Sequence, residues 1–293
     1  MQKEWITQRL LIEKSRETGV PFSGLLGGAV LEETVRRISM TKEGENLWLK
    51  NSTILGKEQY KKNLSLSLEY DFFPLEGEEI CLPELAESLR QQAFGENDDY
   101  GIVFSQTDRL MKKYLLILFE AKFLGMQTPV SVKIFPCREE RQIPKKECFS
   151  LILFPQVTVA YNRCQTEDIL VENYMEIITK LELILDMRVY YDSYRLLGSE
   201  SVDGRRVREG IGERCRKQGI TVEDRRLQMI AGYQNYAYMK KKWKAFLRSV
   251  NEKEPPWELV IERLMKFFSP IWDSIAKDLI FFEDWMPELG RFL

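Results

Sequence analysis

Apolar positions fall at helical spacing in two stretches near the start of the chain. In residues 4–18 (EWITQRLLIEKSRET), Trp5, Ile6, Leu10, Leu11 and Ile12 crowd one side of an amphipathic helix, which Gly19 and Pro21 end. Leu25, Leu26, Val30, Leu31, Val35 and Ile38 repeat the spacing and predict a second helix over about 25–39. A short apolar LWL at 47–49 follows, then Lys50-Asn51-Ser52-Thr53 breaks the pattern before a short helix through Tyr60. Residues 64–73 (LSLSLEYDFF) then change period to two. Leu64, Leu66, Leu68, Tyr70 and Phe72 fall on one face of a strand, and Ser65, Ser67, Glu69 and Asp71 on the other. The runs YLLILFEAKFL (114–124) and PVSVKIFP (129–136) read as strands joined by a hairpin loop at 125–128. From about Thr166 the spacing is helical again, through TEDILVENYMEIITKLEL, DMRVYYDSYRLL and most of 200–293. The pattern predicts an α+β fold with a mixed sheet flanked by helices over 1–198, and a helical domain over 199–293.

Composition narrows the chemistry. The 293 residues are 44% hydrophobic and 30% charged with a net charge of −2, ordinary globular values that give no overall pull toward polyanions. Five scattered cysteines without a CxxC pair argue against a disulfide framework or a zinc site and fit a reducing, cytoplasmic setting. No signal-peptide pattern and no apolar run of about 18 residues is present, so no membrane association is expected. The chain has no histidine. That excludes imidazole general bases, Ser-His and Cys-His couples and His-ligated zinc, and leaves carboxylates, Lys, Arg, Tyr and hydroxyls, with a hard cation such as Mg²⁺ as the natural cofactor.

Glu69 and Asp71, two apart on a strand, point the same way, and two carboxylates on one rigid face suit a Mg²⁺-dependent phosphoryl-transfer site. Upstream, Lys50, Ser52 and Thr53 stand in a turn that opens a helix, where backbone N–H groups and hydroxyls can hold phosphate. Small-residue turn, helix, then a strand bearing two carboxylates is the layout of polymerase-beta-like nucleotidyltransferases.

On these segments the chain resembles the AbiEii/AbiGii family, toxins of bacterial abortive-infection and type IV toxin–antitoxin systems, over roughly residues 4–277. LWLKNSTILG stands in place of the family's Leu-Lys-Gly-Gly-Thr-Leu-Leu segment, LSLEYDFF in place of its Thr-x-Asp-h-Asp strand, and MRVYYDSYRLL is similar to its Lys-Asp-x-Tyr-Asp-Leu helix. KKKWKAFLRSV and ELVIERLMKFFSPIWDSI match its Trp-containing basic helix and final apolar helix. The resemblance implies nucleotidyl transfer from an NTP with Mg²⁺, to tRNA. Glu69 and Asp71 would hold the metal, Lys50, Ser52 and Thr53 the phosphates, and Arg188 and Asp192 would be supporting catalytic groups, with an antitoxin as a possible partner.

The departures point the other way. Asn51 and Ser52 replace two glycines, Lys133 falls where a third carboxylate is expected, Asn173 replaces a phosphate-contacting lysine, and Val189 replaces an aspartate. Together they describe an eroded site, and with it a second reading: a non-catalytic member of the fold that binds RNA or protein and needs neither Mg²⁺ nor NTP. Residues 204–248 carry thirteen Lys and Arg against four acidic residues, interleaved with Tyr233, Tyr236, Tyr238 and Trp243, a footprint that suits an RNA backbone and its bases.

Overall fold

The computed structural model describes residues 5–62, 66–74, 81–94, 100–137, 143–250 and 252–293, without the side chain of Asp224. Two compact units divide at Cys164/Gln165, upstream of the expected boundary at 198/199. The helices at 166–180 and 188–199 share a core with the helices after them, through Leu170, Tyr174, Ile178, Tyr190 and Leu197.

The first unit contains α1 (Gln8–Thr18), α2 (Phe22–Ser39), β1 (Leu47–Leu49), α3 (Lys57–Tyr60), β2 (Ser67–Phe72), α4 (Leu82–Gln92), β3 (Val103–Leu110), β4 (Leu115–Phe123), β5 (Met126–Pro136), β6 (Lys145–Ser150) and β7 (Thr158–Arg163). Among the described residues its strands form one mixed sheet in the order β3-β4-β5-β2-β1-β7-β6. The inner pairs β2–β5 and β1–β7 are parallel, while β1–β2 and the outer pairs are antiparallel.

Register explains which face is buried. Paired residues share a face, and Leu49, Tyr70, Ile134 and Ile117 fall on the side that the helices cover, all nearly inaccessible. The predicted alternation of the carboxylate strand shows in burial from Ser67 to Tyr70, after which Asp71 is buried as well as Phe72; Leu64 and Ser65 lie outside the described residues.

α1 starts later than its apolar pattern suggested. Thr7 caps it by accepting from the Leu10 N–H, so Trp5 and Ile6 precede the helix, and Gly19 ends it in a left-handed conformation. α2 is the central helix. Of its three glycines, Gly24 and Gly28 lie where Tyr60 of α3 packs; a Cβ on Gly28 would sit 2.6 Å from the Tyr60 ring. α2 also buries charge. Glu33 binds Arg37 (2.6 Å) and Arg36 (2.7 Å), and Arg37 reaches the Ile102 carbonyl and lies over the Phe104 ring.

The second unit holds α5 (Thr166–Lys180), α6 (Arg188–Ser199), β8 (Val202–Asp203), α7 (Gly204–Gln218), α8 (Asp224–Gly232), α9 (Ala237–Ser249), α10 (Trp257–Ala276), β9 (Asp284–Met286) and β10 (Arg291–Phe292). The C-terminal segment is mainly helical, as expected, and adds three short strands that the spacing did not show. β8, β9 and β10 make a small sheet that seats Trp285 in the core, with its indole N–H donating to the Leu197 carbonyl. No described helix is long and apolar enough to cross a membrane.

Candidate functional site

The site lies on the sheet face opposite the one that carries Leu49, Tyr70, Ile134 and Ile117. Along β2, Glu69 and Asp71 project from it, flanked by β5 on one side and by the end of β1 on the other. The strand pairing dictates their neighbours. Lys133 on β5 stands directly opposite Glu69, and its Nζ donates to Glu69 Oε1 at 2.9 Å. Lys50, just past β1, hydrogen-bonds through its backbone N–H to the Glu69 carbonyl (2.8 Å), and its ammonium lies 3.4 Å from Asp71 Oδ1. That ammonium also sits 5.2 Å from the centre of the Phe135 ring, the residue opposite Asp71.

Asp71 is 6% exposed, and the Cys164 thiol approaches its other oxygen at 3.5 Å. Beside it Trp48, opposite Asp71 on β1, is buried against Phe73. Each carboxylate therefore has its own ammonium. Polar alternation placed Glu69 and Asp71 correctly, but it gave no sign of this pairing, which depends on a contact sixty-four residues away in sequence.

Mg²⁺ requires about six oxygen ligands at close range, and carboxylates bind it best as unpaired anions. Here the two carboxylates are neutralised by lysines, and the described residues contain no group of three or more Cys, Asp or Glu side chains placed to hold a metal. The residues present do not fit the ion.

The turn at 50–53 also differs from expectation. It does not open a helix of useful length: Ser52–Ile54 is a single 3₁₀ turn, and the four-residue α3 follows separately. Asn51 is used structurally. Its side-chain amide donates to the Ser67 carbonyl (2.7 Å) and its oxygen accepts from the Glu69 N–H (2.9 Å), clipping the turn to β2. Ser52 hydrogen-bonds Tyr161, whose hydroxyl donates to Glu147, and it lines a recess apart from the two carboxylates; Thr53 is half-buried. Of the proposed phosphate-binding trio, only Lys50 meets a carboxylate of the pair.

Arg188 and Asp192 belong to the second unit, one turn apart at the start of α6 and both half-buried. Asn173 of α5 hydrogen-bonds Ser193 on the same helix at 3.2 Å.

In the basic stretch, six of the thirteen cations meet acids of their own unit: Arg205 with Glu209, Arg206 with Asp168, Arg208 with Asp278, Arg214 with Glu172, Lys217 with Glu213 and Lys240 with Glu258. Lys241, Lys244 and Arg248 stay exposed, three and four residues apart, and so form one stripe on α9. Of the four aromatic residues picked out in the sequence, Tyr233 and Trp243 are core, with hydrogen bonds to Glu182 and to the Pro255 carbonyl. Tyr236 and Tyr238 remain exposed, with ring centres 5.9 Å apart.

The chain is similar to two solved structures from Helicobacter pylori. One is JHP933, at 11% identity over 87% of this chain and 93% of that one, with a TM-score of 0.46. The other, provisionally assigned as a nucleotidyltransferase, shares 10% identity over 88% of this chain and 96% of that one, with a TM-score of 0.48. No family model matches the sequence, and no curated protein does.

Proposed function

We propose that this is a nucleotidyltransferase-like protein of the AbiEii type that has given up metal-dependent nucleotidyl transfer and binds RNA through its helical unit. One observation carries the reading: each carboxylate of the β2 pair is held by a lysine, Glu69 by Lys133 and Asp71 by Lys50. A cation already seated beside each oxygen ligand repels Mg²⁺ and removes the charge that would attract it. The turn supports the same reading, since Asn51 is committed to β2 and Ser52 to Tyr161. The RNA half of the proposal rests on the exposed stripe of Lys241, Lys244 and Arg248 beside Tyr236 and Tyr238, where cations can meet phosphates and rings can meet unpaired bases.

Purified protein incubated with radiolabelled NTPs, tRNA and Mg²⁺ is expected to give no more labelled product than a Glu69→Gln, Asp71→Asn variant. Label that appears with the parent chain and vanishes with the variant overturns the loss of activity. RNA affinity is expected to be indifferent to Mg²⁺ and NTP and to fall steeply with salt. Changing Lys241, Lys244 and Arg248 together to Glu should flatten the salt dependence by about 2 in log–log slope. A slope that stays unchanged removes α9 as the RNA surface.

A further inference from the structure

A second polar cluster lies on the helix-covered side of the sheet, away from Glu69 and Asp71. Glu32 sits in the middle of α2 and is 3% exposed. Its neighbour Glu33 is matched by two arginines, but Glu32 is held by neutral donors: the Tyr60 hydroxyl donates to Oε1 (2.9 Å) and the Ile152 N–H to Oε2 (2.7 Å). Burial without a countercharge pushes this carboxyl up to about 8, so it keeps its proton at neutral pH. A protonated carboxyl both donates and accepts.

Glu32 is not sealed in. It lines an open recess of about 290 Å³, together with Ser52, Glu147, Ser150, Tyr161 and Phe149. Glu147 is already compensated, by Arg163 Nε at 2.7 Å and Lys145 Nζ at 3.6 Å, and it accepts from the Tyr161 hydroxyl at 3.1 Å. The wall therefore offers hydrogen-bonding groups of both kinds with little net charge. With Glu32 protonated, the ionised groups on the wall are Glu147 and the exposed Lys57, one of each sign, so the recess favours neither anions nor cations. The rings of Phe149 and Tyr161, 5.6 Å apart and edge to face, add apolar surface of the kind that covers the C–H face of a sugar ring.

We propose that the recess lined by Glu32, Glu147, Ser52, Ser150 and Tyr161 binds a neutral ring compound carrying vicinal hydroxyls, of the size of a furanose or pyranose. A diol matches such a wall because each hydroxyl can donate to one group and accept from the next. The shared chemistry has two sources, a free sugar or the ribose of a nucleoside, and the ligand panel separates them.

Saturation-transfer NMR and calorimetric titration of the full chain would use D-ribose, D-glucose, adenosine and 2′,3′-dideoxyadenosine. At least one diol is expected to bind saturably, with the dideoxy compound weaker by about tenfold or more, because buried polar groups would lose their partners. Ribose or glucose binding assigns a free sugar; adenosine binding without either assigns a nucleoside. Ser150→Trp, at an exposed strand end, fills the recess and should abolish binding at an unchanged melting temperature. Tyr161→Phe keeps the ring and should weaken binding.

Glu69→Gln, Asp71→Asn should bind as the parent does, which keeps this test independent of the transferase question. The proposal is overturned if no diol binds up to about 10 mM, if the dideoxy compound binds equally, or if Ser150→Trp still binds. Loss in the Glu69/Asp71 variant alone also overturns it, since the ligand then belongs to the Glu69–Asp71 site.

Discussion

Glu32 and Asn51 show how single residues can look functional in the sequence and prove to be structural, or the reverse. Asn51 stands where the resemblance expects a glycine beside a phosphate, and its amide instead ties the turn to β2 with two hydrogen bonds. Glu32 attracted no notice in the sequence, because a glutamate on an amphipathic helix ordinarily faces water. Only the assembled core reveals that it is desolvated. Its titration has a definite sign. The folded chain holds the Glu32 proton up to about pH 8, whereas an unfolded glutamate releases it near 4.5. Between those values the native state binds the extra proton, so stability falls as pH rises from about 4.5 and levels off above about 8.

Glu32→Gln removes this slope, because an amide can still accept from Ile152 and donate to the Tyr60 hydroxyl. Urea midpoints at about pH 5.5 and pH 8 should show the parent losing stability relative to the variant, by something on the order of 1–3 kcal/mol. Parallel curves for the two proteins would remove Glu32 as the titrating group.

Elements were legible in proportion to how far they are buried on one face. β2, β4 and β5 sit in the middle of the sheet, where one side is core, so their alternation appears directly in the sequence. The edge strands β3 and β6, and β7 next to the latter edge, are short or mostly polar (VFSQTDRL, KKECFS, TVAYNR), and periodicity did not single them out. What identifies them is pairing, a non-local property. The small sheet β8-β9-β10 escaped for the same reason, at two or three residues per strand.

The β4–β5 hairpin was found, but its turn is tighter than expected. Phe123 pairs with Met126, which leaves Leu124 and Gly125 as a two-residue turn, both at positive φ (51° and 74°). Such turns favour Asn-Gly, and leucine is strained there. Leu124→Asn should therefore stabilise the chain by about 0.5–1 kcal/mol, read as a higher urea midpoint. A lower midpoint would mean that the leucine side chain, exposed here, makes up for its backbone strain.

The whole molecule carries two separate cores, and the carboxylate pair and the cationic stripe belong to different ones. The change of hydrophobic period near Thr166 signalled the first core's end more accurately than the domain boundary at 198 did. α5 and α6 follow that change, and they pack with α7 and α10. Phe267 of α10 is fully buried among Phe268, Trp285 and Phe292. Phe267→Ala should cost about 3–5 kcal/mol, and hydrogen exchange followed by mass spectrometry should place the lost protection mainly in residues 165–293. Protection lost equally from both units would show that the chain unfolds as one cooperative body.

The Lys133–Glu69 pair also bears on how such a protein changes over generations. Lysine and glutamate codons differ by a single purine transition in the first base. The register of β2 on β5 is fixed by the apolar face, by Leu68 against Val132 and Tyr70 against Ile134, and not by the ion pair. A mutation at position 133 could thus exchange an ammonium for a third carboxylate without disturbing the strands that hold it. A charge-neutral face and an acidic, cation-seeking one lie a single nucleotide apart on the same scaffold, so a lineage could pass between them in either direction without rebuilding the fold.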